Sequence, residues 1–241
     1  MAALDTAAQR HHHDRHDPHV RGRWLSDVVL GAQDGLVNTL GVVLGVAAAS
    51  GSSKVVVAAG AAAALAEALS MGAVGYSSSA ARGDLFRSER EREYRHVDLA
   101  PDVEREEVRR MYAAKGFEGE LLDRVVETIC ANRDVWVAVM MAEEHELTPV
   151  DRAASLRSAS IVGFGALLAS IPAILPFAFA PARLGSGLAI AGAAALLFAL
   201  GAFKARITVG TVVRSGLELV AIGLFSAAAA WGVGAILAPT P

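Results

Sequence analysis

Acidic and thioether side chains recur at helical spacing in two of the chain's most apolar stretches. In the first, Asp34 and Asn38 are four residues apart and Asp27 precedes Asp34 by seven, so all three fall on one helix face. In the second, Glu67 and Met71 are four residues apart. A carboxylate inside a bilayer is costly and marks a functional site by default. Carboxylate oxygen with thioether sulfur favours a divalent transition metal such as Fe²⁺ or Mn²⁺. These five residues are the predicted transport pathway for such an ion. The alternative for Asp34 and Glu67 is a neutral carboxyl group bonded to a neighbouring helix.

A second group of acids and methionines occupies the polar middle of the chain. Its members pair at helical spacing, so acids on facing helices can form a cation reservoir. The alternative is a solvated helix surface, because residues 89–93 alternate in charge sign. The predicted metal-binding residues are Glu89, Glu93, Glu104, Glu107, Met140, Met141, Glu143 and Glu144.

Glu93-x-x-His96 also has the spacing of a di-iron ligand pair. A di-iron centre needs two such motifs and two further glutamates, and one motif is evident. The Glu93–His96 spacing makes a membrane-anchored di-iron or ferritin-like protein that binds or oxidises iron the alternative to transport, although the second motif is missing. A His-rich tract near the N-terminus can capture metal or belong to a disordered tail; it comprises His11, His12, His13, His16 and His19.

The elements that must position these residues follow from composition. Hydrophobic residues make up 54 % of the 241, and residues 82–152 carry 30 of the 47 charged residues. Two apolar blocks around one charged block are typical of a membrane protein with a polar insert. A net charge of −3 gives no basis for nucleic-acid binding, and the single Cys130 excludes an intrachain disulfide.

Five stretches approach or exceed the roughly 20 apolar residues that cross a bilayer as a helix. The sequence therefore predicts an all-α membrane protein with five transmembrane helices and a helical cytosolic insert between spans two and three. The spans are Val28–Ser50, Val55–Ala81, Ala153–Ala180, Leu184–Phe203 and Val209–Ala238. The predicted domains are a polar His-rich tail (1–23), spans one and two (24–81), the insert (82–152) and spans three to five (153–241).

Basic residues on one side of the spans set the expected orientation. The N-terminus and the insert are predicted to be cytosolic, and the C-terminus lies outside. The second span has no proline or glycine pair to stop it before residues 82–96, which predicts one long helix. GxxxG spacings at Gly31/Gly35 and Gly41/Gly45 predict close helix approach, as between subunits. The basic residues that set the predicted orientation are Arg10, Arg15, Arg21, Arg23, Lys204 and Arg206.

Several segments resemble signatures of the vacuolar iron transporter family. The resemblance runs from about Trp24 to Leu237 and preserves five spans with a charged insert after the second. The first two motifs are specific to the first and second helices of that family. The matching segments are Asp27–Val37, Ala66–Gly72 followed by Tyr76, Trp136–Glu144 and Ala227–Gly234.

This resemblance implies a homodimeric transporter in a lipid bilayer that exchanges cytosolic Fe²⁺, often also Mn²⁺, for protons. It implies no prosthetic group and no enzymatic activity. Asp34 matches the family's pore aspartate, Met71 its pore methionine and Asp27 its cytosolic-edge acid. The insert acids and methionines fall where members place a cytosolic metal-binding domain, although His96 stands where members are often more acidic. The host membrane is the plasma (inner) membrane if the chain is bacterial and a vacuolar-type membrane if it is eukaryotic.

Overall fold

The computed structural model describes residues 21–208 and 210–237, which are helical and contain no strand. The His-rich tract lies outside the described residues. The helices are α1 (Arg21–Ser50), α2 (Ser53–Leu99), α3 (Pro101–Ala114), α4 (Gly119–Cys130), α5 (Arg133–Glu143), α6 (Arg152–Phe179), α7 (Ala182–Ile207) and α8 (Val212–Ile236).

Five of these helices are long and apolar enough to cross a membrane: α1, α2, α6, α7 and α8. This confirms the predicted all-helical fold with five spans. Most helix ends lie within four residues of the predicted span ends, but α1 begins seven residues earlier than predicted and α2 continues beyond Ala81 to Leu99. Helix α2 continues for 47 residues without a break. No proline occurs within it, so nothing removes a main-chain donor and ends the helix early.

The chain forms two compact units. One comprises the described residues up to Gly75 and from Arg157 onward, and the other comprises Tyr76–Leu156. The first contains all or part of the five long helices. The second contains the end of α2, then α3, α4 and α5 and the start of α6.

Glycines let the long helices of the first unit approach at main-chain distance. A Cβ built on Gly35 would lie 2.5 Å from the Ala166 Cα, and one on Gly31 would lie 2.9 Å from the Val162 Cα. A Cβ on Gly45 would lie 3.1 Å from the main-chain oxygen of Ala230 on α8. The GxxxG spacings of α1 therefore pack within the chain, the first against α6 and the second against α8.

A buried hydroxyl pair also joins α1 to α6. Thr39 Oγ1 donates to Ser170 Oγ at 2.9 Å, and both residues are almost fully buried. Ser170 Oγ in turn lies 3.0 Å from the main-chain oxygen of Gly35 and 2.8 Å from that of Ala166. Both hydroxyls are satisfied, as buried polar groups generally are.

Two prolines, Pro172 and Pro176, lie inside the C-terminal third of α6. Each lacks the N–H that would bond the carbonyl four residues earlier, so the oxygens of Leu168 and Pro172 lose their usual helical donor.

The second unit has its own apolar core. Val97 on α2, Val108 on α3, Val126 on α4 and Met140 on α5 are buried in one cluster. Asn132 caps α5 through its side chain, which accepts from the main-chain N–H groups of the next helical residues. This packing brings the acid-bearing faces of α2, α3 and the end of α5 together.

Candidate metal sites

The first candidate site joins α1 and α2 in the membrane-spanning unit. The Glu67 side chain lies close enough to the side chains of Asp34 and Asn38 to interact with both. Two ionised carboxylates side by side repel each other, so this proximity favours one proton held between Asp34 and Glu67. The pair can hold that proton or a cation in its place, but two bare negative charges in an apolar span are costly.

The other two residues of the predicted pathway are placed differently. Asp27 is half-buried on the same helix as Asp34. Met71 is buried in an apolar cluster with Ala68, Val162 and Ala166. Met71 thus packs in the core of this unit, and its role as a metal ligand stays a prediction.

The second candidate site lies in the unit formed by residues 76–156, with Glu93 at its centre. Glu93 is 3 % exposed, and its Oε1 lies 3.0 Å from His145 Nε2. The same oxygen lies 3.8 Å from His96 Nδ1, which is 3.5 Å from Glu104 Oε1. These side chains form two overlapping groups in which the possible ligand atoms lie within 4.8 Å of one another. One group is Glu93, His96 and Glu104, and the other is Glu93, Glu144 and His145.

Two buried carboxylate oxygens in this cluster are unsatisfied. Within residues 21–208 and 210–237, neither Glu93 Oε2 nor Glu104 Oε2 has a hydrogen-bond partner. Burying a carboxylate oxygen without a partner costs free energy, and native structures rarely leave one so. A bound cation would satisfy both oxygens.

The pKa values in this cluster reflect its excess negative charge. Burial raises the pKa of Glu104, and the nearby charges of Glu93 and Glu107 raise it further. Burial and the charge of Glu107 likewise raise the pKa of Glu144. Burial disfavours the charged form of His145, but its hydrogen bond to Glu93 and the charge of Glu144 outweigh this and raise its pKa. Without metal, these three groups therefore bind protons more tightly than isolated side chains do.

The remaining predicted insert residues lie outside the two ligand groups. Glu89 pairs with Arg92 at 3.0 Å, Glu107 pairs with Arg110 at 3.3 Å, and Glu143 pairs with Lys115. These pairs are typical of a solvated surface, although Glu107 still acts on the cluster through its charge. Met140 and Met141 are buried in the core of this unit.

Sequence reasoning did not include His145 among the ligands. It stands just beyond α5, next to Glu144, where helical periodicity no longer indicates direction. Its adjacency to the Met140–Glu144 segment was the available signal. The chain has no second Glu-x-x-His motif, which the di-iron alternative would need.

Comparison with known proteins gives a consistent result. Residues 25–235 match the profile of the VIT family. Vacuolar iron transporter 1 of Oryza sativa subsp. japonica is 30 % identical over 235 residues, which cover 97 % of this chain and 93 % of that protein. Vacuolar iron transporter 1 of Arabidopsis thaliana is 29 % identical over 224 residues, 92 % of this chain and 88 % of the relative. The vacuolar iron transporter of Plasmodium falciparum is 25 % identical over 244 residues, which cover 97 % of this chain and 87 % of that protein.

Proposed function

Because the chain belongs to the VIT family, we propose that it is an integral membrane transporter that moves Fe²⁺ or Mn²⁺ out of the cytosol in exchange for protons. The iron in this proposal comes from the names of its relatives, vacuolar iron transporters that align over most of the chain. One observation supports the exchange step most directly: the Glu67 side chain lies beside that of Asp34 inside the apolar spans.

The coupling follows from the charge of this pair. Two neighbouring carboxylates in an apolar span repel each other, so Asp34 and Glu67 share a proton when no metal is present. A divalent cation that enters between the two carboxylates replaces that proton, and Asn38 supplies a neutral oxygen beside them. When the ion leaves, a proton must return, because two bare carboxylates are costly in the membrane. Each transport cycle thus exchanges metal for protons.

The cluster around Glu93 has the role of collecting metal in this proposal. It offers three carboxylates in all, and two of its buried oxygens are without partners among the described residues. It raises the local concentration of the cation near the cytosolic entrance, with Asp27 at the edge of the first span. The N-terminus and the insert are cytosolic in this scheme, as the basic residues beside the spans indicate.

A homodimer is part of the proposal. Asn38 is exposed on α1, and Asp34 and Glu67 are half-buried. Lipid cannot satisfy these polar groups, whereas a second copy of the chain against this face can. An Asn38→Cys variant in a Cys130→Ser background carries one thiol per chain. It should form a disulfide-linked dimer in membranes, and failure to cross-link would contradict this interface.

Transport is tested with purified protein in vesicles that report luminal metal and luminal pH with separate dyes. Fe²⁺ under reducing conditions, or Mn²⁺, should enter while protons move the opposite way. Asp34→Asn and Glu67→Gln should reduce both fluxes together to the level of empty vesicles. Glu120→Gln, which changes an exposed acid of α4 outside the spans, is the control and should retain both.

Full metal-driven proton flux in Asp34→Asn would overturn the proposed coupling site. Metal flux without any proton movement in the unaltered protein would overturn antiport and leave a uniporter.

A further inference from the structure

We infer that His96 and His145 are metal ligands, and that the cluster holds two neighbouring metal positions that share Glu93. One position then combines His96 with Glu93 and Glu104, and the other combines His145 with Glu93 and Glu144. This inference deepens the proposed function and rests on it in one respect, the role of the insert as a collector of metal.

The separations between ligand atoms suit a coordination shell. Ligands about 2.1 Å from a metal are roughly 3.0–3.4 Å apart at octahedral or tetrahedral angles. His145 Nε2 lies 3.0 Å from Glu93 Oε1, and His96 Nδ1 lies 3.5 Å from Glu104 Oε1. His96 Nδ1 is 3.8 Å from Glu93 Oε1, too far for a hydrogen bond but within reach of a common ion. Each group supplies three protein donors, and solvent oxygen would fill the remaining coordination positions.

The unsatisfied oxygens are an independent sign of a ligand. Glu93 is 3 % exposed and Glu104 is 5 % exposed, and the Oε2 atom of each has no partner in the described part of the chain. Glu93 therefore has one oxygen against the two imidazoles and a second oxygen free to bind. A carboxylate of this kind can serve two metals about 3.5–4 Å apart. His96 is half-exposed, which gives a cation access from solvent.

The donor set determines the class of ion. Carboxylate oxygens alone suit Mg²⁺, Ca²⁺ and Mn²⁺, whereas imidazole suits iron, nickel, copper and zinc. One nitrogen at each position therefore favours divalent transition metals over the more abundant Mg²⁺ and Ca²⁺. Affinity should rise from Mn²⁺ through Fe²⁺ and Co²⁺ to Ni²⁺. The two histidines thus make the insert selective against hard cations before any ion reaches the membrane pathway.

The test uses the full chain in detergent, with the five tail histidines replaced by glutamine. His96 and His145 are then the only imidazoles, because the chain has seven histidines. Co²⁺ is titrated by calorimetry with and without excess Mg²⁺. Pulsed EPR of bound Mn²⁺ detects nitrogen ligands, and ¹⁵N-histidine labelling identifies them as imidazole.

We expect two Co²⁺-binding events per chain at the insert, besides any at the Asp34–Glu67 pair, with little competition from Mg²⁺ and a histidine-nitrogen coupling. His96→Gln and His145→Gln should each weaken one binding event by at least about tenfold, since loss of an outer-shell partner alone costs 10–100-fold. Glu93→Gln should weaken both events. His145→Glu should keep two events but lose half of the nitrogen coupling and admit Mg²⁺. Glu127→Gln, an exposed acid of α4, is the control and should bind like the background.

Co²⁺ binding without histidine-nitrogen coupling, or unchanged binding in both histidine variants, would overturn the inference and leave metal collection by the acids intact. Absence of any cation binding in a protein that still transports would overturn both the inference and the collector role, but not transport. If the unaltered protein binds metal but transports none in vesicles, the proposed function alone is overturned.

Discussion

Gly35 of α1 lies directly against the main chain of Ala166 on α6, so that a Cβ on Gly35 would be 2.5 Å from the Ala166 Cα. The neighbouring atoms are backbone and cannot rotate away, so Gly35→Ala must separate the two helices. We expect a loss of stability of about 1–3 kcal/mol, the usual cost of overpacking, as a lower thermal midpoint in detergent. Gly187→Ala is the control, because a Cβ there meets nothing within 4 Å. Equal midpoints for the two variants would contradict this packing.

The hydroxyl pair beside Gly35 should behave as a coupled unit. Ser170→Ala removes the acceptor of Thr39 Oγ1 and leaves a buried hydroxyl unsatisfied, at a cost of about 1–3 kcal/mol. Thr39→Val combined with Ser170→Ala removes both partners, so the double variant should be less destabilised than the sum of the single ones. Thermal unfolding of the four proteins gives the coupling free energy, and strict additivity would contradict the contact.

Stability of the metal-free insert should fall as pH rises. The pKa values of Glu104 and Glu144 are raised in the folded state, so folding favours their protonated forms, and that contribution is lost as pH rises through the folded pKa values. The pKa of His145 is also raised, and its contribution is present below its unfolded pKa of about 6.5 and lost as pH rises through its folded pKa. All three signs agree: the insert should be more stable near about pH 5 than near about pH 8.

Trp136 provides the measurement, since it is buried in the insert core. With Trp24→Phe and Trp231→Phe it is the only tryptophan, and its fluorescence follows urea unfolding in the presence of a chelator. Glu104→Gln should reduce the pH dependence. A urea midpoint that increases with pH would contradict the assignment.

The turn after α5 contains local strain that a glycine should relieve. Glu146 has a φ of 51°, in the left-handed region that costs a non-glycine residue roughly 1–2 kcal/mol. Glu146→Gly should stabilise the insert by up to about 1 kcal/mol, after allowance for the greater freedom of glycine in the unfolded chain. Glu146→Ala keeps the strain and removes the charge, so it separates the two causes. The same Trp136 unfolding assay applies, and an equal gain in both variants would identify charge as the cause.

The sequence predicted the features that depend on local pattern. Long apolar runs identified the five spans, and the lack of proline indicated the continuous α2. Helical spacing also placed Asp34 and Asn38 on one face, where the structure has both beside Glu67. Features that depend on packing between distant segments were harder to derive. The glycines of α1 gave no sign that their partners lie on α6 and α8, and His145 reaches Glu93 only because α5 packs beside α2.

The two prolines of α6 give that helix two mechanically different halves. Its first half is held at main-chain distance by Gly31 and Gly35, and a bend toward α1 there would force main-chain atoms into overlap. Beyond Ser170, Pro172 and Pro176 have no main-chain N–H, so two main-chain hydrogen bonds of the helix are already absent. Bending at that end breaks no further hydrogen bond at these two positions, so the C-terminal third of α6 is where the helix bends at least cost.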